Sequence, residues 1–264
     1  MSDRASAIVD IDGLPVFYET EGTGQPIVLL HGGMADNSTW VPQFAGLSPH
    51  RRVMAPERRA HGHTPDPGGP ITYQAMAQET VAFLRFMDLG PADLVGWSDG
   101  GMVAFLVAVS DPDLVRTITM VGASVSSDGY VAGAMEEMTG LPADDPEMAM
   151  FKAMYEAASP DGPAHFAEVW DKVRTLWSKE YDWWDDVAAV SVPTLVMVGD
   201  DDLITVSSAD ELARRLPAGQ LAVIPGASHV APLEKPDLFN QLVLDFTTNP
   251  VVESMMPVRR RPSG

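Results

Sequence analysis

Two segments near the start, residues 6–11 and 14–20, are rich in strand-forming types and meet at Asp12-Gly13, a favoured hairpin turn pair. Pro26 then opens an unbroken apolar run, Ile27-Val28-Leu29-Leu30. Such a run predicts a strand buried on both faces. A helix is expected at 37–47, a short strand at 52–55 and an amphipathic helix at 72–88. The apolar positions of that helix include Met76, Val81, Phe83, Leu84 and Met87. Strand 92–95, helix 99–110 and strand 117–121 follow. Residues 194–198 form a second buried strand, with Pro193 at its mouth, where a missing N–H is tolerated. Helix 207–216 comes next, with Ser208 and Glu211 spaced as a capping box. Strand 221–224 and helix 236–247 close the pattern. Strands alternating with helices predict a mostly parallel sheet covered on both faces.

Residues 124–190 break the rhythm. They contain no convincing strand and are dense in Met and aromatic residues, so they read as a helical insertion between two strands of the sheet. This divides the chain into a core of residues 1–123 and 191–249, an insertion at 124–190, and a tail at 250–264 expected to be flexible. The insertion holds 14 acidic and 4 basic residues, a net charge of −10. That pattern reads as a solvated outer face over an apolar inner one.

Composition narrows the function classes. The 264 residues are 45% hydrophobic and 20% charged, enough for a packed core. The absence of Cys excludes disulfides, a thiolate metal site and a cysteine nucleophile. A net charge of −20 repels phosphate backbones, so neither nucleic acid nor an anionic membrane is an expected partner. No stretch approaches about 18 uninterrupted apolar residues. The first residues show no signal-peptide core, and a cytoplasmic location is expected.

The main chemical signal is Gly96-Trp97-Ser98-Asp99-Gly100-Gly101. Gly-x-Ser-x-Gly alone is a weak pattern, but here it joins the end of a strand to the start of a nearly all-apolar helix. A serine there is forced into a sharp turn, and the flanking glycines let backbones approach closely. The hydroxyl projects at the sheet edge beside a helix N-terminus, where developing negative charge is favoured. Three aspartates, Asp200, Asp201 and Asp202, follow strand 194–198, and residue chemistry alone does not separate them.

The chain resembles the α/β-hydrolase superfamily. The resemblance is carried by His31-Gly32-Gly33, the serine turn, Gly199-Asp200-Asp201-Asp202, and Gly226-Ala227-Ser228-His229. The wording of the serine turn resembles the ester-hydrolase branch that includes valacyclovir-hydrolase-like proteins. Arg58-Arg59-Ala60-His61-Gly62-His63-Thr64 is similar to the family's Arg-Gly-His-Gly turn, with Ala60 in place of the first glycine. The resemblance implies an α/β-hydrolase fold with a mostly parallel eight-stranded sheet flanked by helices, and a helical cap where residues 124–190 lie.

The family order of nucleophile, acid and histidine implies Ser98, Asp202 and His229. His229 also follows the last strand, at the carboxyl edge where open α/β sheets gather their chemistry. The backbone N–H groups of Asp99 and Gly33 are the implied oxyanion donors, with Met34 the alternative to Gly33. The Asp99 side chain has two readings: it faces the pocket and holds a substrate ammonium group, or it bonds the amides of its own helix. Met34, Trp97, Trp170, Trp177, Trp183 and Trp184 are candidate substrate contacts. His61-Gly62-His63 does not make a metal pair, and no metal or cofactor is implied.

The expected partner is a small-molecule ester, small to medium in size and apolar, or a lactone. Epoxide hydrolases and haloalkane dehalogenases of this fold carry Asp where Ser98 stands. Carbon–carbon bond hydrolases usually carry His-Gly-x-Gly-Pro-Gly, against His31-Gly32-Gly33-Met34-Ala35-Asp36 here, and perhydrolases favour a proline in this loop. A ligand-binding or regulatory protein on the same scaffold is the rival from another class.

Overall fold

The structure is a computed structural model that describes residues 4–251, 255 and 256. The remainder of the tail, including Arg259-Arg260-Arg261, lies outside the described residues. Eight strands form one sheet: β1 Ala5–Ile11, β2 Leu14–Glu21, β3 Pro26–Leu30, β4 Arg52–Pro56, β5 Ala92–Trp97, β6 Val115–Val121, β7 Thr194–Asp201 and β8 Gly219–Ser228. Their spatial order is β1-β2-β4-β3-β5-β6-β7-β8. The first hairpin is antiparallel and β2 pairs antiparallel with β4, while β3 to β8 are mutually parallel. The helices are α1 Val41–Leu47, α2 Tyr73–Phe86, α3 Asp99–Ser110, α4 Ala134–Gly140, α5 Ala149–Ala158, α6 Phe166–Trp177, α7 Val206–Arg215, α8 Ala231–Glu234 and α9 Pro236–Thr248.

The two-residue period of a strand sends alternate side chains to opposite faces. In β3, Val28 and Leu30 join one core with α2, α3 and α7, while Ile27 and Leu29 join the other with α1 and α9. A central strand of such a sheet therefore has no polar face, which is why the run Ile27-Val28-Leu29-Leu30 is continuous. Helix α3 is buried nearly all round, as its apolar sequence requires. Among the described residues, no helix is long and apolar enough to cross a membrane.

One local expectation is corrected. Helix α7 starts at Val206, and its cap is Thr205, whose hydroxyl accepts the Ser208 N–H at 3.2 Å. Ser208 is therefore inside the first turn, and Glu211 pairs with Arg215 rather than closing a capping box. Thr205 is the last extended residue before the helix, so its side chain is the one that reaches the free amides.

Residues 124–190 carry α4, α5 and α6, short 3₁₀ turns, and an isolated bridge pairing Ser126 with Asp182. The segment leaves the sheet after β6 and returns before β7, both of which lie beside β5 or one strand beyond it.

The turn after β5 depends on bare backbone. A Cβ on Gly96 would lie 2.1 Å from the Gly100 carbonyl oxygen, and one on Gly100 would lie 2.0 Å from the Leu30 carbonyl oxygen. Gly140, at the end of α4, has no heavy atom within 4 Å of such a Cβ. Gly96→Ala is expected to cost about 1–3 kcal/mol or more in urea unfolding, because rigid backbone must move. Gly140→Ala should be neutral or stabilise by about 0.4–1 kcal/mol through the unfolded chain. Equal effects at the two positions would contradict this account of the turn.

Candidate active site

Ser98 stands between β5 and α3 with φ 54° and ψ −123°, a conformation that a residue with a side chain rarely adopts. It is held there from both sides. Its N–H donates to the Val121 carbonyl of β6 at 2.7 Å, and its own carbonyl accepts from Gly101 N–H at 2.8 Å. The strained turn lifts the hydroxyl off the end of the sheet.

His229 follows β8, and its Nε2 lies 3.0 Å from Ser98 Oγ. Its Nδ1 lies 2.7 Å from Asp202 Oδ1. A carboxylate only accepts, so Nδ1 carries the ring proton and Nε2 presents a lone pair to the serine hydroxyl. The Asp202 carboxylate also accepts the Gly199 and Ile204 N–H groups, at 3.1 and 3.2 Å. Geometry thus separates the three aspartates. Asp202 meets the histidine. Asp200 instead accepts the Gly226 and Ala227 N–H groups at 2.8 and 3.2 Å, and so braces the loop that carries His229. Asp201 is exposed. The Trp97 indole N–H donates to the His229 carbonyl at 2.7 Å, a second brace on the same loop. Gly122, at φ 54°, leaves space for the ring: a Cβ there would lie 2.9 Å from His229 Nδ1.

Gly33 and Asp99 line the same space as Ser98, and their backbone N–H groups have no protein acceptor among the described residues. Asp99 lines the cavity, and its side chain takes its hydrogen bonds from outside its own helix rather than from the helix amides. It accepts the Tyr73 hydroxyl at 2.9 Å and the Trp177 indole N–H at 3.0 and 3.1 Å, and it is buried. One carboxylate thereby joins α2, α3 and the end of α6. Burial, with Asp99 adding to it, pushes the Tyr73 phenol well above its ordinary pKa, so it stays a donor. Gly33 must be bare for this junction to form, since a Cβ there would lie 2.4 Å from the Trp177 ring and 2.5 Å from Asp99 Oδ2.

A cavity of about 560 Å³ opens above Ser98. Trp97 and Trp177 line it, together with four methionines of the insertion: Met135, Met138, Met150 and Met154. Met34, Trp170, Trp183 and Trp184 are corrections, because none is in its wall. Trp170 belongs to the buried stripe of α6 and donates to the Leu141 carbonyl at 2.9 Å. Trp183 stacks on Phe105, and Trp184 lies under the Arg215 guanidinium. Met34, at φ 56°, is buried on the far side of the loop, in a small gap beside His61 and Tyr155. An amphipathic helix turns most of its large residues into its own core, leaving few for a ligand.

Behind the Gly33 loop lie three buried bases. The Arg58 N–H donates to His31 Nε2 at 3.1 Å, and Arg58 Nη2 donates to the Gly32 carbonyl at 3.0 Å. His31 Nδ1 lies 2.8 Å from that same carbonyl. His61 Nδ1 donates to the Arg59 carbonyl at 2.8 Å. Burial, reinforced by Arg58, holds the His31 pKa well below the usual value and lowers that of His61 to about 3. Ala60 adopts φ 61°, so the departure from the family glycine keeps the turn at the cost of some strain. Sequence reasoning assigned no role to Arg58, Tyr73 or Gly122. Arg58 was visible in a quoted motif, whereas Tyr73 and Gly122 gave no local signal.

Asp66, His165 and Glu168 bring one ligand atom each within 4.8 Å of one another. Lys172 occupies the same cluster, bonded to Asp66 and 2.9 Å from Glu168, so its ammonium already supplies the cation that these carboxylates require.

The family model described as the alpha/beta hydrolase family matches residues 27–242. Among curated proteins the chain is similar to a putative carbamate hydrolase, RutD, of Azorhizobium caulinodans. That pair is 25% identical, with 88% of this chain and 94% of that protein covered. It is similar also to the serine hydrolase BPHL of Mus musculus, 26% identical with 91% and 86% covered. A third relative is the 2-hydroxy-6-oxo-2,4-heptadienoate hydrolase of Pseudomonas putida, 27% identical with 89% and 93% covered.

The buried histidines make stability depend on pH. In the unfolded chain a histidine takes up a proton near pH 6.5. In the folded chain His61 stays neutral down to about pH 3. The unfolded state therefore binds more protons across this window, and stability falls as pH drops through it. His61→Asn should flatten the slope between pH 6.5 and 4.5 by up to about 1.4 kcal/mol per pH unit, measured by urea unfolding. An unchanged slope would show that His61 is protonated in the folded state.

Proposed function

The chain belongs to the alpha/beta hydrolase family, and within it we propose that the protein cleaves carboxylic esters, cyclic esters included, of small to medium apolar substrates. The observation that carries this reading is the line Ser98–His229–Asp202, with contacts of 3.0 and 2.7 Å, at the floor of an apolar cavity. His229 Nε2 takes the Ser98 proton as Oγ attacks the ester carbonyl. Asp202 holds the ring tautomer and stabilises the imidazolium without accepting the proton. The Gly33 and Asp99 N–H groups bind the oxyanion. His229 then gives its proton to the leaving alcohol, and an acyl-enzyme remains. A water molecule, deprotonated by His229, attacks the acyl carbon and releases the acid. Ser98, His229 and water supply every electron pair and proton in this route, so it calls for no cofactor.

The methionine wall suits a flexible aliphatic or aromatic group, because thioether chains adapt to irregular shapes. Asp99, with its oxygens already bonded to Tyr73 and Trp177, is a poor ammonium anchor, which favours plain over α-amino esters. The relatives named for carbamate and carbon–carbon cleavage make those bonds the rival substrates. The loop Met34-Ala35-Asp36, which lacks the usual Gly-Pro-Gly, weighs against the carbon–carbon reading.

Ser98→Ala should fold normally and lose ester turnover by about 10⁴-fold or more. Asp202→Asn should lose on the order of 10³–10⁴-fold, far more than Asp200→Asn, which acts only through the loop. A chromogenic panel of acyl esters, a lactone, a carbamate and a vinylogous 1,5-diketone ranks the bond types by kcat/KM. Turnover confined to the diketone or the carbamate would reject the ester reading. Tight binding of all probes without any turnover would favour the binding-protein rival.

A further inference from the structure

The peptide between Gly32 and Gly33 has two ends with different partners. Its carbonyl points into the protein, where it meets two buried donors. Arg58 Nη2 donates to it at 3.0 Å, and His31 Nδ1 lies 2.8 Å away. The His31 tautomer follows from its other nitrogen: Nε2 accepts the Arg58 backbone N–H at 3.1 Å, so the single proton of the neutral ring sits on Nδ1. His31 is fully buried and Arg58 is 5% exposed. In a trans peptide the C=O and N–H point in opposite directions. With its carbonyl clamped inward, this peptide turns the Gly33 N–H outward to the cavity that Ser98 and Gly33 share.

We infer that Arg58 is a positioning residue for ester cleavage, and that with His31 it clamps and polarises the Gly32–Gly33 peptide so that the Gly33 N–H is set for the oxyanion. This rests on the ester-hydrolase reading above. The physical reason is peptide resonance. A cationic donor on the carbonyl oxygen favours the form with negative charge on oxygen and a more acidic N–H. The Gly33 N–H is then a stronger donor when the carbonyl oxygen of the substrate becomes an anion. The charge also acts directly, since a buried cation behind the loop stabilises a developing anion in a site with little water. The guanidinium stays charged at neutral pH: burial lowers its pKa to about 10, while Asp99, Tyr73 and Glu79 act against that fall. Two of its nitrogens, Nε and Nη1, are buried without a protein partner. An arginine kept only for packing or for ion pairing would not be expected to leave two donors unbonded while spending a third on this carbonyl.

The test compares wild type with Arg58→Lys, which keeps the charge, and Arg58→Gln, which keeps a donor without it. Each is first matched to wild type by circular dichroism and thermal unfolding. For an activated acyl ester, Arg58→Gln should lower kcat by about 10- to 100-fold with KM within about 2-fold, and Arg58→Lys should lose less. Affinity for an alkyl boronic acid, which forms a tetrahedral adduct on Ser98, should fall in step with kcat. The infrared carbonyl stretch of the trapped acyl-enzyme should move to higher frequency in Arg58→Gln, because a weaker oxyanion hole polarises it less. A role confined to packing would move thermal stability and leave that frequency alone. Unchanged kcat, boronate affinity and frequency in a folded variant would overturn the inference, as would a rise in KM at constant kcat. Should Arg58→Gln not fold, Arg58→Lys carries the same measurements. In wild type the Gly33 amide proton should also shift downfield when the boronate binds, and an unresponsive amide would overturn the inference with no variant needed. Failure of the underlying reading looks different: wild type would then form no acyl-enzyme at all, and both conclusions would fall.

Discussion

The backbone at Ser98 can turn as sharply as it does only because the residues two positions away on either side have no side chains. Gly96 and Gly100 would each place a Cβ about 2 Å from a carbonyl oxygen. Relieving either contact would separate β5 from α3 or α3 from β3. The strain at φ 54° is maintained by the close approach at these glycines and by the bonds from Ser98 N–H to Val121 and from Gly101 N–H to Ser98. The hydroxyl position, its distance to His229 and the position of the Asp99 N–H all follow from this close approach. The buried, apolar helix α3 serves the same end, since it fixes the turn against the core that it shares with α2 and β3.

A second dependence runs through Asp99. Its carboxylate is buried and accepts from Tyr73 and Trp177, residues that come from the core and from the insertion. Hydrogen bonds to a charged group are worth about 1.5–3 kcal/mol each, and leaving such a group unpaired costs more. The roof of the cavity is therefore tied to the residue that follows the proposed nucleophile. Substrate shape at the methionine wall and donor geometry at Ser98 are linked through one side chain. The ion pair of Asp66 with Lys172 and its hydrogen bond with His165 make a second tie between core and insertion.

The charge distribution has a similar division. The surface is strongly acidic, yet the ground behind the Gly33 loop holds a cationic Arg58 and two histidines kept neutral by burial. Net charge governs long-range encounter and is screened by salt. Buried groups interact at short range, where screening is weak. The same molecule is therefore anionic overall while keeping a buried cation behind the loop that carries Gly33.

The strand and helix order, the sheet class and the strand–serine–helix turn were legible in the linear sequence, because they depend on period, on apolar runs and on glycines at fixed spacing. Ser98 and His229 could be singled out for the same reason, since each lies in or beside a turn of recognisable wording. The three aspartates could not be separated by residue chemistry, as they share one side chain and differ only in direction. The fold decided that Asp202 points at His229 and Asp200 at the loop beside it. The aromatic residues of the insertion misled for a related reason. Trp170, Trp183 and Trp184 look no different in sequence from Trp177, and only the packing of α6 and its neighbours decides which rings are core and which face the cavity. Tyr73, Arg58 and Gly122 reach the site from segments 24 or more residues away from Ser98 in the chain. Their part depends on distances through space, which local sequence patterns do not encode.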